Sequence, residues 1–497
     1  MEAAWTKSTV RGAIGLLLAA LIALPTLQAQ DQRESLGLQF GSDDSPANAW
    51  PDTGYVVLDR YTVEGNRKSR RPYVLRELTL QPGDTVQLEQ LAATLDRQRE
   101  LLLNTGLYSA VALVVGKLDA HFRQFNVRIV VREKWYFYPS LGVDLADRNF
   151  NVWWNEQNRS LDRVNLKATL RHANVTGRRD RLTFGVQAGY TRRVELSYQV
   201  PFVDRAQRVG IDLNVLLDRS REWGVRTEDG LLDFFRSDTS DVLRRQSFRL
   251  GITVRPGVFL THLLRFEYQR NRTAELVASE LNPNFFGAGR REQNFTGFFY
   301  EASYDSRDVR SFPIQGSRAR LRINKLGLGR SDDLNRLTVS LLLARYQPLP
   351  ARWSATLAAK GKIDVERTQV PYFNREVLGF DDDFVRGYQL YVVDGLDYGF
   401  VKSALRYKAF DQTLKFSWIP VRALQQVPLR VYVGGHADVG AARDPFQTEG
   451  NSLANQTLYG YGIGLYAVGY YSKVAQLELT RNGLGDWGLF LSYGFGL

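Results

Sequence analysis

The chain has 497 residues, 65 Lys and Arg against 53 Asp and Glu, a net charge of +12, 44% hydrophobic residues and no cysteine. That length is too great for one small domain, and the missing thiols exclude disulfides and thiolate metal sites. The basic residues are spread along the chain and interleaved with acids, with no basic helix or RNA-binding signature, which argues against nucleic acid.

Residues 1–29 read as an export signal peptide. Lys7 and Arg11 supply the basic n-region, Ala13 to Leu24 the apolar run, Pro25 its end, and Leu27-Gln28-Ala29 a small-residue cleavage point. The apolar run is short for a spanning helix, which needs about 20 residues. Residues 30–53, with Asp31, Ser42, Asp43, Asp44 and Pro51, read as a flexible lead-in. His121, His172, His262 and His436 are scattered without ligand spacing, so no metal site or cofactor is expected. No Gly-x-Ser-x-Gly elbow, phosphate loop or dinucleotide fingerprint is present, so no catalytic residues and no enzyme are expected.

Val56 to Glu64 suits a strand, followed by a turn at Gly65-Asn66. Pro72 to Leu78 suits a short helix with proline near its start. Gln81-Pro82-Gly83-Asp84 breaks the chain. Leu88, Leu91, Leu95, Leu101 and Leu102 then fall near helical spacing over Leu88 to Asn104, and Gly106 ends that helix. Strands follow at Tyr108 to Val115 and Phe125 to Val131. This β-α-α-β-β order places one small α/β domain at 54–134. With Val63-Glu64-Gly65-Asn66, Gly83-Asp84, Asn104-Thr105-Gly106-Leu107-Tyr108 and Val111, it resembles a polypeptide-transport-associated (POTRA) domain. An exposed sheet edge there could bind extended clients by strand addition. A plug or spacer domain is the alternative.

From residue 135 to 497 the apolar pattern has a period of two. Val164, Leu166, Ala168 and Leu170 alternate with polar residues, as do Leu182 to Tyr190, Val194 to Val200, Val209 to Leu217 and Phe248 to Val254. These segments have the length of tilted membrane-spanning strands, come as hairpins with turns at Thr176-Gly177 and Pro256-Gly257, and carry a polar second face that a soluble sandwich could not bury. A closed barrel leaves no unpaired backbone in lipid. At about 20–23 residues per strand and loop, residues 135–497 hold roughly 16 strands. The fold class is therefore mainly β, a transmembrane antiparallel β-barrel preceded by one small α/β domain. Leu489, Leu491, Tyr493, Phe495 and Leu497 share one face of a final strand, with Phe490, Ser492, Gly494 and Gly496 on the other.

Three blocks carry a wider resemblance: Tyr304-Asp305-Ser306-Arg307-Asp308 with Pro313 and Gly316; Phe384-Val385-Arg386-Gly387-Tyr388 in a long irregular stretch; and His436-Ala437-Asp438-Val439-Gly440 on a late strand. With the POTRA-like unit, the chain resembles the BamA/TamA outer-membrane assembly superfamily. The resemblance implies that the loop bearing Val385, Arg386, Gly387 and Tyr388 folds into the lumen and that Arg386 pairs with Asp438 on the wall, beside Gly440. It implies a weak seam between first and last strands at Ser492, Gly494, Phe495 and Gly496. His436 stands where an aromatic is usual, and Ala404 stands two residues before Arg406 where an acid is common. Asp381, Asp382 and Asp383 read as a solvated loop tip or a cation site. The implied function is assembly, insertion or translocation of unfolded outer-membrane or secreted client proteins. The alternatives are a dedicated secretion pore for one partner, or a passive structural barrel. The implied partners are outer-membrane lipids, such clients, and periplasmic or lipoprotein accessory subunits. The implied location is the bacterial outer membrane with the N-terminal domain in the periplasm.

Overall fold

The computed structural model describes residues 39–40, 54–119, 123–146, 150–155, 157–204, 206, 208–375, 378–380, 382–415, 426–446, 450–469 and 473–495. The segment read as a signal peptide, most of the segment read as a lead-in, Asp381, Gly496 and Leu497 lie outside the described residues.

The N-terminal unit is a five-stranded sheet with two helices. Its elements are β1 (Gln39–Phe40), β2 (Tyr55–Glu64), α1 (Arg71–Leu75), β3 (Thr85–Gln87), α2 (Leu88–Asn104), β4 (Tyr108–Asp119) and β5 (Gln124–Glu133). The sheet order is β1-β4-β5-β2-β3. Two details differ from the sequence expectation. Helix α1 ends at Leu75 rather than Leu78, and the three-residue strand β3 precedes α2, pairing antiparallel with Tyr55–Val57. Three residues flanked by a turn and a helix are too few to show a period of two. Leu91, Leu95 and Leu102 of α2 bury one helical stripe against Val56, Leu58, Phe125, Val127 and Ile129 of the sheet.

Sixteen strands make the second sheet. They begin with β6 (Phe137–Leu145), and a short helix α3 (Phe150–Asn155) precedes β7 (Val164–Ala173). β8 (Arg181–Gly189), β9 (Thr191–Val200) and β10 (Val209–Ser220) follow. β11 (Glu222–Glu228) and β12 (Leu231–Arg236) form a separate hairpin outside the wall. The wall resumes with β13 (Leu243–Val254), β14 (Leu260–Thr273), β15 (Glu292–Asp305), β16 (Gly316–Leu326), β17 (Arg336–Pro348) and β18 (Trp353–Asp364). It ends with β19 (Asp397–Lys415), β20 (Gln426–Arg443), β21 (Thr457–Val468), β22 (Lys473–Asn482) and β23 (Trp487–Phe495). Every neighbouring pair is antiparallel, as hairpin connections allow.

The alternation sorts the two faces. Leu196, Phe248, Leu250, Phe266, Phe298, Leu341, Leu357, Val439 and Ile463 stand exposed on the outer face, where a bilayer would cover them. Their neighbours in sequence, such as Glu195, Arg249, Glu267 and Glu301, point inward and pair across strands, as Arg249 does with Glu267 at 2.8 Å. The ladder is continuous from β6 round to β23, and among the described residues no paired positions join β6 to β23. α3 lies against β23 at that place.

The small domain docks on the first two turns at the wall's near end. The Arg70 N–H donates to the Gly177 carbonyl at 2.9 Å. Asn174 Nδ2 donates to Ser69 Oγ at 2.9 Å, and Arg179 pairs with Glu77 at 2.8 Å. At the far end, the β11–β12 hairpin roofs the lumen. Val225 packs with Val277, Phe285 and Phe286, and the Val392 N–H donates to the Gly230 carbonyl at 2.7 Å, tying the hairpin tip to the long loop 365–396.

Candidate functional site

The loop 365–396, between β18 and β19, does not stay outside the barrel. It turns inward and seats residues 384–388 on the inner face of β19 to β22. Glycine makes room for it at two inward positions, Gly440 of β20 and Gly460 of β21, which lie on the lumen side by cross-strand register. A Cβ on Gly460 would stand 1.9 Å from the Arg386 carbonyl oxygen, and one on Gly440 would stand 2.8 Å from a Val385 methyl. Wall side chains have been reduced to hydrogen so that a backbone can lie on the sheet.

Arg386 is the centre of this seat. Its Nε donates to Asp438 Oδ2 at 2.8 Å and its Nη2 to Oδ1 at 2.5 Å, a bidentate pair. Its own backbone N–H reaches Asp438 Oδ2 at 3.1 Å, and Nη2 also donates to the Ser403 carbonyl at 2.9 Å. Glu478 lies 3.6 Å from Nη1. The Asp438 side chain is fully buried and that of Arg386 is 10% exposed. Two charges so far from water are tolerated because nearly every donor has an acceptor; removing one partner would strand the other.

The neighbours fix the loop on either side. Gly387 has φ +94°, a conformation that L side chains rarely adopt. Its N–H donates to Gln389 Oε1 at 2.7 Å, and its carbonyl accepts from Asn482 Nδ2 at 3.2 Å. Tyr388 is buried and its hydroxyl accepts the Gly483 N–H at 3.1 Å. Val385 is buried in a cluster with Tyr388, Val393, Tyr398, Phe400 and Leu458. The structure thus brings together Val385, Arg386, Gly387, Tyr388, Asp438 and Gly440. Ser403, Gly460, Glu478, Thr480 and Asn482 belong to the same site and escaped the sequence reading. The inward run Gly460, Gly462 and Gly464 on β21 was the available signal, since at Gly460 a side chain would strike the loop.

Asp383 corrects an expectation. It is no solvated loop tip: its carboxylate meets Lys360 of β18, and the Tyr398 hydroxyl donates to it at 2.5 Å. Lys402 Nζ donates to the Asp382 carbonyl at 3.0 Å. His436 points into the lumen with Nε2 2.9 Å from Thr480 Oγ1. Among the described residues no group of three metal-ligating side chains converges.

Of the seam positions, Ser492 faces the lumen on β23, paired in register with Gln476. Gly494 and Phe495 pair with Val474 and Lys473, and Gly496 lies outside the described residues. Between the roof and the wall a cavity of about 690 Å³ remains, lined by Arg193, Arg322, Lys360, Lys362, Asp383 and Tyr398 among others.

A family profile described as "Omp85 superfamily domain" matches residues 174–465. Among solved structures, BamA from Haemophilus ducreyi lacking POTRA domains 1–3 has a TM-score of 0.57 at 13% identity, covering 88% of this chain and 84% of that one. CdiB from Acinetobacter baumannii has a TM-score of 0.48 at 13% identity, with 88% and 73% covered. CdiB from Escherichia coli has a TM-score of 0.47 at 12% identity, with 99% and 98% covered. The first of these shows a shared fold. No curated protein sequence matches the chain.

Proposed function

The chain belongs to the Omp85 superfamily of outer-membrane protein insertion, translocation and secretion barrels, and from that premise we propose that it is a client-handling factor whose lumen is held shut by the Arg386 seat. The observation that carries this reading is the buried bidentate pair between Arg386 and Asp438. A passive pore has no use for a long loop locked across its own lumen by a costly buried ion pair. A barrel that must stay sealed at rest while handling polypeptide does.

The N-terminal domain faces the periplasm in this proposal and captures clients. Along Tyr108–Leu113, β4 carries no strand on its outer edge among the described residues, because β1 pairs only with Val114 and Val115. An extended client could add there through backbone hydrogen bonds, with little demand on sequence. Clients then pass to the β6–β23 seam. β6 follows the domain after three residues, and its outer Leu141 and Val143 are exposed. Gly494 weakens the packing of the last strand. No covalent chemistry is required.

A second reading is a secretion pore for one dedicated partner, compatible with the one small domain found among the described residues. Depletion of the protein followed by a proteomic inventory of the outer membrane separates the two. Broad loss of barrel proteins supports assembly, and loss of one secreted or surface protein supports the dedicated pore. An unchanged inventory refutes both.

A further inference from the structure

The near end of the lumen has a stopper of its own. The turn 306–315, between β15 and β16, is pinned by Arg307, whose Nε and Nη2 donate to Asp305 at 2.8 and 2.9 Å. The Asp308 carboxylate accepts the Ile314 and Gln315 N–H groups at 3.1 and 3.2 Å. Held in this way, the turn sends Phe312 inward. Its buried ring packs on Tyr432 of β20 and Tyr466 of β21, with centroids 4.8 and 5.8 Å away, and on Val468 and Val474. The ring therefore seats four to six strands round the wall from its own hairpin, directly below the floor on which Arg386 sits.

Arg406 of β19 stands between these two seats. Its guanidinium lies 4.9 Å from the Phe312 ring centroid and 5.0 Å from that of Tyr466. The Tyr466 hydroxyl donates to Glu478 at 2.8 Å, and Glu478 is the second acid facing Arg386. Arg406 Nη1 reaches Thr356 Oγ1 at 3.3 Å, while its buried Nε has no acceptor among the described residues. A buried guanidinium held by two aromatic faces and short of an acceptor will take an acid when one comes within reach. Glu478 of β22, bonded to the hydroxyl of the same Tyr466 ring on which Arg406 stacks, is such an acid.

We propose that Arg406 is a positioning residue coupling a near-end stopper, Phe312, to the seat of the far loop. While Phe312 is in place, it holds the Arg406 guanidinium on the aromatic pair and away from Glu478. When the turn 306–315 is displaced from the domain side, Arg406 swings to Glu478, competes with Arg386 for that carboxylate and loosens the loop. The two ends of the lumen then release in sequence rather than independently. This goes beyond the proposed function, because it holds whichever client the barrel handles.

The test uses the full chain in liposomes. Because the protein has no cysteine, Val393→Cys, buried in the seated loop, is a clean reporter for a membrane-impermeant maleimide. Phe312→Ala should raise the labelling rate roughly three- to thirtyfold, the range that loss of a cation–π contact gives. Arg406→Ala alone should leave it near the parent rate, and Phe312→Ala with Arg406→Ala should return it there. Heat-modifiable gel mobility confirms a folded barrel in each variant. If Phe312→Ala does not fold, Phe312→Val, which fills the apolar seat without covering the guanidinium, is read instead with the same expectation. A Phe312 variant that labels like its parent overturns the coupling. So does a double variant that labels as fast as the Phe312 variant alone.

Discussion

The wall at β19–β22 and the wall at β6 and β23 are made from the same alternating pattern but are built to opposite ends. On β19–β22, glycines, buried polar groups and aromatic rings make the inner face, and the loop 384–388 is bound to it by charge, hydrogen bonds and apolar contact. On β6, the outer side chains stand exposed, one edge pairs with β7, and no paired positions reach β23 among the described residues. A closed cylinder of equal hydrogen bonds would resist opening equally everywhere. This molecule concentrates its side-chain interactions on one side and leaves a weak line at the other, so a seal and a yielding edge can coexist in one barrel.

Breaking the strong side should have the largest effect. Arg386→Ala and Asp438→Ala should each destabilise the folded barrel by about 3–5 kcal/mol, since each leaves a buried charge without its partner. The double variant should cost clearly less than the sum, because the second change removes the stranded charge. Urea midpoints of the detergent-solubilised barrel check both statements, and strict additivity would break the pairing. A smaller loss, about 1–3 kcal/mol from overpacking, is expected for Gly460→Ala, whose methyl would meet the Arg386 carbonyl. Gly361→Ala, where a Cβ meets nothing within 4 Å, is the matched control on β18.

In the docked domain the expected effect is smaller and pH-dependent. Burial alone would raise the Glu133 carboxyl, but hydrogen bonds from Ser69 and from the Lys68 N–H outweigh it and hold its pKa below the usual carboxylate range. The charged form is therefore favoured in the folded state. Its stabilisation is present above the unfolded value, about 4.3, and is lost as pH falls through the lower folded value. Residues 68–70 also carry the contact to the barrel turn at Gly177. Acidification should lower the domain's thermal midpoint in the wild type, and Glu133→Gln should flatten that dependence. An equally steep acid loss in Glu133→Gln would assign the effect to other carboxylates.

Much of this division was legible in the sequence, for stated reasons. Strands β7–β10 and β13 were readable because lipid on one side and water on the other impose a period of two. Arg386 and Asp438 were readable as a pair because of the blocks around them. Glu478 was not, since an acid on a strand of alternating polarity looks like any lumen residue until the fold brings it to Arg386. The β11–β12 roof was missed because its cluster of Val225, Val277, Phe285 and Tyr372 is assembled from three separate loops. Strand β3 was hidden by its length. Asp383 was misread because an acidic run in a loop suggests solvent, and nothing local to the run reveals that Lys360 and Tyr398 face it.

The contrast between seal and edge is tested most directly by hydrogen exchange of the full chain reconstituted in lipid. The amides of β6 and β23 should exchange much faster than those of β19 and β20, with residues 384–388 protected alongside the latter. Equal protection of β6, β23, β19 and β20, or rapid exchange at 384–388, would contradict the account.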